Sequence, residues 1–209
     1  GGAHAGISVG PDGATHQALE DIAIMRVLPN MTVLSPCDAT QTRLATIAAF
    51  EQVKGPCYIR FGREAVPDFT LTDQDFKVGR GQQLTEGKDI TIIATGPLVW
   101  EALEAAASLK KKGIQARVIN IHTIKPIDEQ IIIKAARETG AIVTAEEHQL
   151  IGGLGSAVAE VVVKNHPVPM AFVGMPDCFG ESGTPSELME KYGLTSRHIE
   201  IAAKQLLKV

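Results

Sequence analysis

Two imidazoles and one carboxylate lie within thirteen residues near the start of the chain, at His4, Asp12 and His16. Imidazole gains and loses protons near neutral pH, and a carboxylate accepts hydrogen bonds from hydroxyl groups. Glycines at positions 6, 10 and 13 separate these residues, and glycine lets a backbone approach a ligand closely. We therefore predict a binding or catalytic site in residues 4–17, which we name the histidine loop.

A simpler interpretation is that these side chains only satisfy backbone groups of the loop, as Asp and His often do in turns. Two arginines lie at the end of a predicted strand at 57–61, Arg60 within its last residues and Arg63 just after it. Ligands of open α/β sheets bind at the carboxyl ends of strands, and a guanidinium bonds two phosphate oxygens at once. Both arginines are therefore candidate phosphate ligands, with surface salt bridges as the alternative for both.

Helices and strands alternate along the chain, which predicts parallel sheets with helices on their faces. In the first part we predict helices at 18–28 and 38–53, the second capped by Asp38, and strands at 31–35 and 57–61. Residues 67–87 are polar and glycine-rich, which is typical of a linker with at most one short strand. After it we predict strands at 90–95, 116–121, 141–145 and 170–173, and helices at 99–112, 128–140, 154–165, 186–192 and 196–207.

The 209 residues carry a formal net charge of −4, are 44% hydrophobic and include three cysteines. No basic face typical of nucleic-acid binding is visible, and no apolar run approaches the roughly 18 to 20 residues that span a membrane. An odd number of widely spaced cysteines favours reduced thiols over a disulfide framework. We expect a cytoplasmic protein that binds neither nucleic acid nor membranes.

A glycine-rich turn at 152–155 is similar to a dinucleotide-binding fingerprint. It lacks the strand directly before it and the acidic residue about twenty positions later, so we interpret it as a packing turn. The preceding residues Glu146, Glu147 and His148 are adjacent at a strand end, where side chains point in different directions. We assign them surface or interface roles rather than a metal site.

The histidine loop and its neighbours resemble a segment of the transketolases, and the resemblance extends over essentially the whole chain. His4, Asp12 and His16 keep that family's spacing of eight and four residues. The matching residues are His4, Gly10, Asp12, Gly13, Thr15, His16, Gln17, Glu20, Asp21, Pro29 and Asn30. The sequence His-Ala-Gly-Ile at residues 4–7 resembles the C-terminal subunits of two-subunit transketolases. Ala5, Pro11 and Ala14 depart from the full-length enzymes, which leaves the sugar contacts open.

This resemblance implies an α/β fold whose first strands precede the chain. Residues 1–66 are expected to form the C-terminal part of a truncated, parallel-sheet pyrimidine-binding domain. A linker at 67–87 leads to a doubly wound transketolase C-terminal domain at 88–209. The implied activity is transfer of a two-carbon ketol unit between sugar phosphates by a thiamine-diphosphate-dependent enzyme.

The resemblance also assigns roles to individual residues. His16 and His4 are expected to be catalytic, His16 near the reacting carbons. Asp12, Arg63 and His4 are expected to bind the substrate: Asp12 at the donor's 2-hydroxyl, Arg63 at the phosphate and His4 towards the phosphate end. Arg63 occupies the family's phosphate-binding position when counted from His16, which leaves a structural role for Arg60.

Other parts of the implied site fall outside these residues. The catalytic glutamate and the aromatic residues that hold the pyrimidine ring precede Gly1, and the groups that bind Mg²⁺ and the diphosphate belong to another domain or subunit. We therefore expect the isolated chain to bind no cofactor, to be inactive alone and to leave one sheet edge open. It is expected to need an N-terminal transketolase subunit and to self-associate.

Two alternatives stay open. One is an enzyme like 1-deoxy-D-xylulose-5-phosphate synthase, although that family typically has Asp-Arg-Ala-Gly where this chain has His4-Ala5-Gly6. The other is a non-catalytic dimerisation module that keeps the fold. The set of His4, Asp12, His16 and Arg63 argues against it, because a scaffold has no need of these side chains.

Overall fold

A computed structural model describes residues 1–209, with seven α-helices and eight strands. The helices are α1 (Asp21–Val27), α2 (Ala39–Gln52), α3 (Leu98–Lys111), α4 (Glu129–Thr139), α5 (Leu154–Asn165), α6 (Pro185–Lys191) and α7 (Ser196–Leu207). The strands are β1 (Thr32–Leu34), β2 (Cys57–Ile59), β3 (Gln82–Thr85), β4 (Ile90–Ala94), β5 (Ala116–Asn120), β6 (Thr123–Lys125), β7 (Ile142–Gln149) and β8 (Met170–Met175). A 3-10 segment at Ile7–Asp12 precedes them.

The larger sheet, here the C-terminal sheet, has the strand order β3-β5-β4-β7-β8. Strands β5, β4, β7 and β8 are parallel, and β3 adds an antiparallel edge. Neighbouring residues of β4 face opposite sides: Ile92 packs with α3 and α7, whereas Ile93 packs with α4 and α5. Helices therefore cover both faces, which confirms the doubly wound α/β fold predicted for this part.

The smaller sheet, here the N-terminal sheet, has the order β2-β1-β6. Strands β1 and β2 are parallel, as predicted. Strand β6, which the sequence pattern did not predict, lies antiparallel to β1 although it follows β5 in the chain. The ammonium of Lys125 in β6 also donates to the carbonyls of Arg26 (2.7 Å) and Leu28 (2.6 Å) at the end of α1. The later part of the chain thus completes the sheet of the earlier part.

The edge of the N-terminal sheet that was expected to be open is partly covered. Gly2 donates to the carbonyl of Ile59 (2.8 Å) and accepts from the N–H of Phe61 (2.8 Å), so residues at the chain start lie along the outer side of β2. The 67–87 segment contains β3, which belongs to the C-terminal sheet.

The residues predicted to begin α2 and α4 are confirmed as N-caps. The Asp38 carboxylate accepts the N–H of Gln41 at 2.7 Å, and that of Asp128 accepts the N–H of Ile131 at 3.3 Å, as N-caps do. Gly140 ends α4 with a φ of 69°, a conformation that favours glycine. None of the helices has the length and apolar character that crossing a membrane requires.

Candidate functional site

The histidine loop is fixed by its backbone at both ends. Ala5 donates to the carbonyl of Phe61 (3.0 Å) just after β2, and Gly6 donates to the carbonyl of Ala18 (2.8 Å). These bonds bring the start of the loop alongside its end. Residues 5–10 are buried, whereas His4, Asp12 and His16 are exposed. The predicted site residues therefore project from a loop whose backbone is held against the protein.

Two of the predicted residues meet directly. Nη1 of Arg63 lies 2.8 Å from Oδ2 of Asp12, and the two side chains are 41% and 35% exposed. Nδ1 of His16 lies 3.0 Å from the hydroxyl of Thr15, and His4 has a positive φ of 57°. Asp12 and Arg63 thus form an ion pair. His4 and His16 lie near opposite ends of the same loop.

Arg60, interpreted as structural, is buried beneath the loop. Its Nε lies 2.9 Å from Oδ2 of Asp21, which also accepts the hydroxyl of Tyr58 at 2.7 Å. Its Nη2 donates to the carbonyls of Ala18 (3.2 Å) and Glu147 (2.8 Å). Burial alone would raise the pKa of Asp21, but the charge of Arg60 and the hydrogen bonds from both partners lower it. Arg60 therefore joins α1, β2 and β7 in one buried ionic group.

Of the two roles predicted for Glu146, Glu147 and His148, the surface role is wrong, because all three are at most 1% exposed. Strand β7 lies between β4 and β8 in the C-terminal sheet, and the histidine loop and α1 cover its carboxyl end. Oε1 of Glu147 accepts the N–H of Ser8 at 2.6 Å, and Nε2 of His148 accepts the N–H of Ala23 at 3.3 Å. Glu147 and His148 therefore hold the histidine loop and α1 against β7.

Glu146 explains the glycine-rich turn. Its carboxylate accepts the N–H groups of Leu154 (2.6 Å) and Gly155 (2.8 Å) at the start of α5, where a helix N-terminus favours an anion. A Cβ at Gly153 would overlap this carboxylate, so glycine is required there. An internal carboxylate takes the place that a dinucleotide phosphate would need, which agrees with the predicted packing turn.

Glu146 also makes stability depend on pH. Burial raises the pKa of Glu146 to about 7, although its two backbone donors favour the charged form. A carboxyl group with a raised pKa in the folded chain binds a proton on folding between its ordinary pKa and the raised value. The contribution of Glu146 to the free energy of unfolding is therefore fully present below about pH 4.5. It is lost as the pH rises through 7.

We expect Glu146→Gln to remove that loss. Between pH 5 and pH 8 the free energy of unfolding of the unmodified chain should fall by about 2 to 3 kcal/mol more than that of the variant. Urea unfolding at the two pH values measures the difference, in which titrating groups remote from Glu146 cancel. Glu104→Gln, at an exposed position on α3, is the matched control. Equal pH slopes for both variants would contradict the assignment.

Sequence reasoning gave Gln17 no role of its own. Its buried side-chain amide nitrogen lies 3.2 Å from the carbonyls of both Ile7 and Gly10 and 2.9 Å from that of Glu181. Carbonyl oxygens only accept, so these three contacts also fix which end of the amide faces them. The one feature of the sequence that could have pointed to Gln17 is its position directly after His16, within the set of residues that match the transketolases.

A cavity of about 290 Å³ lies next to the loop, between residues 62–67 and the start of α3. Ser8, Glu147 and Trp100 are among its lining residues. A larger cavity of about 730 Å³ lies between α3 and the start of β5 and contains none of the predicted site residues. No three His, Cys, Asp or Glu side chains are grouped so that they could hold a metal ion.

With this geometry established, the chain was compared with known families. Residues 2–68 match the family described as "Transketolase, pyrimidine binding domain", and residues 79–199 match "Transketolase, C-terminal domain". The chain belongs to the transketolase family. The predicted family and fold class are thereby confirmed.

Individual transketolase relatives match nearly the whole chain. A 6-deoxy-6-sulfo-D-fructose transketolase subunit from a Clostridium species is 46% identical over 98% of this chain and 63% of its own length. An apulose-4-phosphate transketolase subunit from Phocaeicola vulgatus is 43% identical over 99% of this chain and 66% of its own. A 1-deoxy-D-xylulose-5-phosphate synthase from Heliobacterium modesticaldum is 40% identical over 95% of this chain and 31% of its own length.

Among solved structures, one described as "Split gene transketolase, inactive beta4 tetramer" aligns with a TM-score of 0.92 at 52% identity. It covers 99% of this chain and 65% of its own chain. The predicted resemblance to subunits of split transketolases is confirmed. The chain spans less than two thirds of the length of the two transketolase subunits and of the solved chain.

Proposed function

We propose that residues 1–209 are part of the C-terminal subunit of a two-subunit transketolase, which transfers a two-carbon ketol unit between sugar phosphates. The observation that carries this proposal is the histidine loop: it presents His4, Asp12 and His16 at the surface and pairs Asp12 with Arg63. Buried contacts fix the backbone of this loop, while its side chains reach solvent. Such residues are suited to binding a substrate.

Each exposed side chain has a proposed task. His16 and His4 exchange protons with hydroxyl groups of the sugar, because imidazole titrates near neutral pH. Asp12 accepts a hydrogen bond from the donor's 2-hydroxyl and so selects its stereochemistry. Arg63 binds the phosphate: Asp12 contacts only Nη1, so other N–H groups of the guanidinium can still donate. We propose that thiamine diphosphate, which in this family stabilises the carbanion left by ketose cleavage, is held with Mg²⁺ by other parts of the assembly.

The experiment is reconstitution. The subunit that contains residues 1–209 is mixed with an N-terminal transketolase subunit, thiamine diphosphate and Mg²⁺, and ketol transfer is measured with a panel of ketose phosphates and aldose phosphates. Transfer by the mixture, and none by residues 1–209 alone, is the expected result. A mixture that binds but transfers no ketol unit would refute the proposal.

The second candidate, a synthase acting on pyruvate, is favoured by one observation, the 40% identity to a 1-deoxy-D-xylulose-5-phosphate synthase. The same reconstituted mixture distinguishes the two. Pyruvate and glyceraldehyde 3-phosphate would then yield a product with release of carbon dioxide, whereas a ketose phosphate donor would not be cleaved.

The partners of the chain are proposed on the same basis: an N-terminal transketolase subunit and further copies of the chain itself. The solved relative described as a beta4 tetramer supports self-association. An exposed apolar face on α1 supplies a surface for it, formed by Ile24, Val27 and Leu28 with Ile151 nearby. The three free cysteines favour a reducing compartment, which we propose to be the cytoplasm.

Val27→Glu is expected to weaken this self-association. Val27 is 76% exposed, so the charge leaves the isolated fold unaffected but has to be desolvated in any contact that covers this face. Sedimentation should show the dissociation constant of the oligomer rising at least about tenfold, which corresponds to 1.4 kcal/mol. Val209→Glu, at a terminal residue that is 74% exposed, should assemble like the unmodified chain. If both variants assemble normally, α1 lies outside the contact.

A further inference from the structure

Strand β7 of the C-terminal sheet and the segment that follows β8 each supply a contact that holds the histidine loop. One is the Glu147 carboxylate of β7, which accepts the N–H of Ser8 at 2.6 Å. The other is the carbonyl of Glu181, which follows β8 and accepts the Gln17 amide at 2.9 Å. Both lie far along the chain from the loop, at separations of 139 and 164 residues. Tertiary contacts, rather than local turn preferences, therefore set the course of the loop.

Gln17 connects the loop to itself as well as to the C-terminal sheet. The same amide nitrogen that reaches Glu181 lies 3.2 Å from the carbonyls of Ile7 and Gly10, at the two ends of the first turns of the loop. The carbonyl of Gly10 also accepts the N–H of Gly13 at 3.2 Å, so the Gln17 amide is a second donor to it. A side chain without N–H groups at position 17 would lose the contacts with Ile7, Gly10 and Glu181 at once.

Glu147 fits the loop closely. Gly6 has a φ of 97°, and a Cβ there would overlap the carboxyl group, so the glycine backbone lies directly against it. The second oxygen, Oε2, is buried without a hydrogen-bond partner. The groups that face this carboxyl are the Ser8 N–H and the nearby Arg60 and Asp21. One acceptor thus fixes the backbone at Ser8, between the two histidines.

We propose that Gln17 and Glu147 are positioning residues for the histidine loop, and that the C-terminal sheet thereby takes part in setting His4, Asp12 and His16 for the reaction. This inference rests on the proposed ketol transfer for its catalytic half. Neither residue has to touch the substrate: they act by fixing the backbone from which the three exposed side chains project. Catalytic groups held in one geometry lose less entropy when the reaction begins.

The first test uses the free chain and does not depend on activity. Amide hydrogen exchange is followed by mass spectrometry in peptides that cover residues 5–12. Glu147→Ala should accelerate exchange there at least about tenfold, because the Ser8 N–H loses its acceptor. Glu147→Gln keeps a side-chain oxygen and should stay within about threefold of the unmodified chain. Glu104→Gln, on the exposed face of α3, is the control for the substitution itself.

The second test uses the reconstituted complex at a temperature at which every variant is folded. Gln17→Leu and Glu147→Ala should lower kcat at least about tenfold, by the same factor for phosphorylated and unphosphorylated ketose donors. Gln17→Glu should lower kcat further, because a carboxylate at this position would face three carbonyl oxygens. Glu147→Gln should recover most of the loss, and Gln205→Leu on the exposed side of α7 should have no effect.

The outcomes separate the possible roles. Faster amide exchange in residues 5–12 with an unchanged kcat would overturn the positioning role. Unchanged amide exchange in both Glu147→Ala and Gln17→Leu would also overturn it. Uniformly faster exchange along the whole chain, without rescue by Glu147→Gln, would assign both residues to general stability and also overturn it. An unmodified complex without ketol transfer would refute the proposed function and the catalytic half of this inference, while the exchange test still decides whether these side chains hold the loop.

Discussion

Replacing Arg63 with alanine in the complete transketolase complex is expected to lower kcat/KM for phosphorylated sugars about 10- to 100-fold, through a higher KM. A hydrogen bond to a charged group contributes about 1.5 to 3 kcal/mol, and a phosphate remote from the reacting carbons contributes to binding rather than to the chemical step. Unphosphorylated ketoses should be affected far less. Steady-state kinetics with matched pairs of phosphorylated and unphosphorylated donors measures the difference.

Two further variants sharpen this test. Arg63→Lys should recover only part of the loss, because an ammonium cannot form the planar fork that binds two oxygens. His16→Ala should instead depress kcat for both kinds of donor, as expected for a proton-transfer residue. Arg63 also pairs with Asp12, so its loss frees that carboxylate. If Arg63→Ala weakens both donor types equally, its role is to hold Asp12, and the phosphate assignment is wrong.

Replacing Arg60 with alanine is expected to destabilise the free chain by about 3 to 5 kcal/mol, because it leaves the buried carboxylate of Asp21 without its counter-charge. The carbonyls of Ala18 and Glu147 lose their donors at the same time. Urea unfolding at pH 7 measures the change in the free energy of unfolding. Arg137→Ala, at an exposed residue of α4, should change it by less than about 0.5 kcal/mol.

A double variant distinguishes ionic pairing from packing. Arg60→Met with Asp21→Asn removes both charges and keeps most of the volume, so it should be more stable than Arg60→Met alone. Asparagine at position 21 can still accept the Tyr58 hydroxyl, which Asp21 now accepts at 2.7 Å. If the double variant is less stable than the single one, the uncompensated charge is not the cause of the loss.

Local signals made most of the helices predictable. Asp38, Asp128 and Gly140 act at helix ends through their immediate neighbours, which a sequence displays directly. Strand β6 was missed because it is three residues long and its partner, β1, precedes it by about ninety positions. Its place depends on a long-range pairing that no local pattern encodes. The polar strand β3 was anticipated only as a possible short strand in the linker for the same reason.

The candidate site shows the same division. The types and spacing of His4, Asp12 and His16 predicted a loop with chemistry, and the structure places all three side chains at the surface. The surroundings of the loop were not predictable: Glu147 is charged and adjacent to another acid, features typical of an exposed position. Its burial follows from packing between two sheets whose residues are distant in sequence.

The pairing of β6 with β1 has a consequence for modularity. The two family matches, residues 2–68 and 79–199, suggest parts that can be cut apart or exchanged between relatives. Yet Thr123 and Lys125 of the second match pair with the first, and Lys125 also binds the end of α1. A chimaera joined at residues 69–78 therefore inherits a foreign strand in its first sheet, so a compatible crossover has to carry β1 and β6 together.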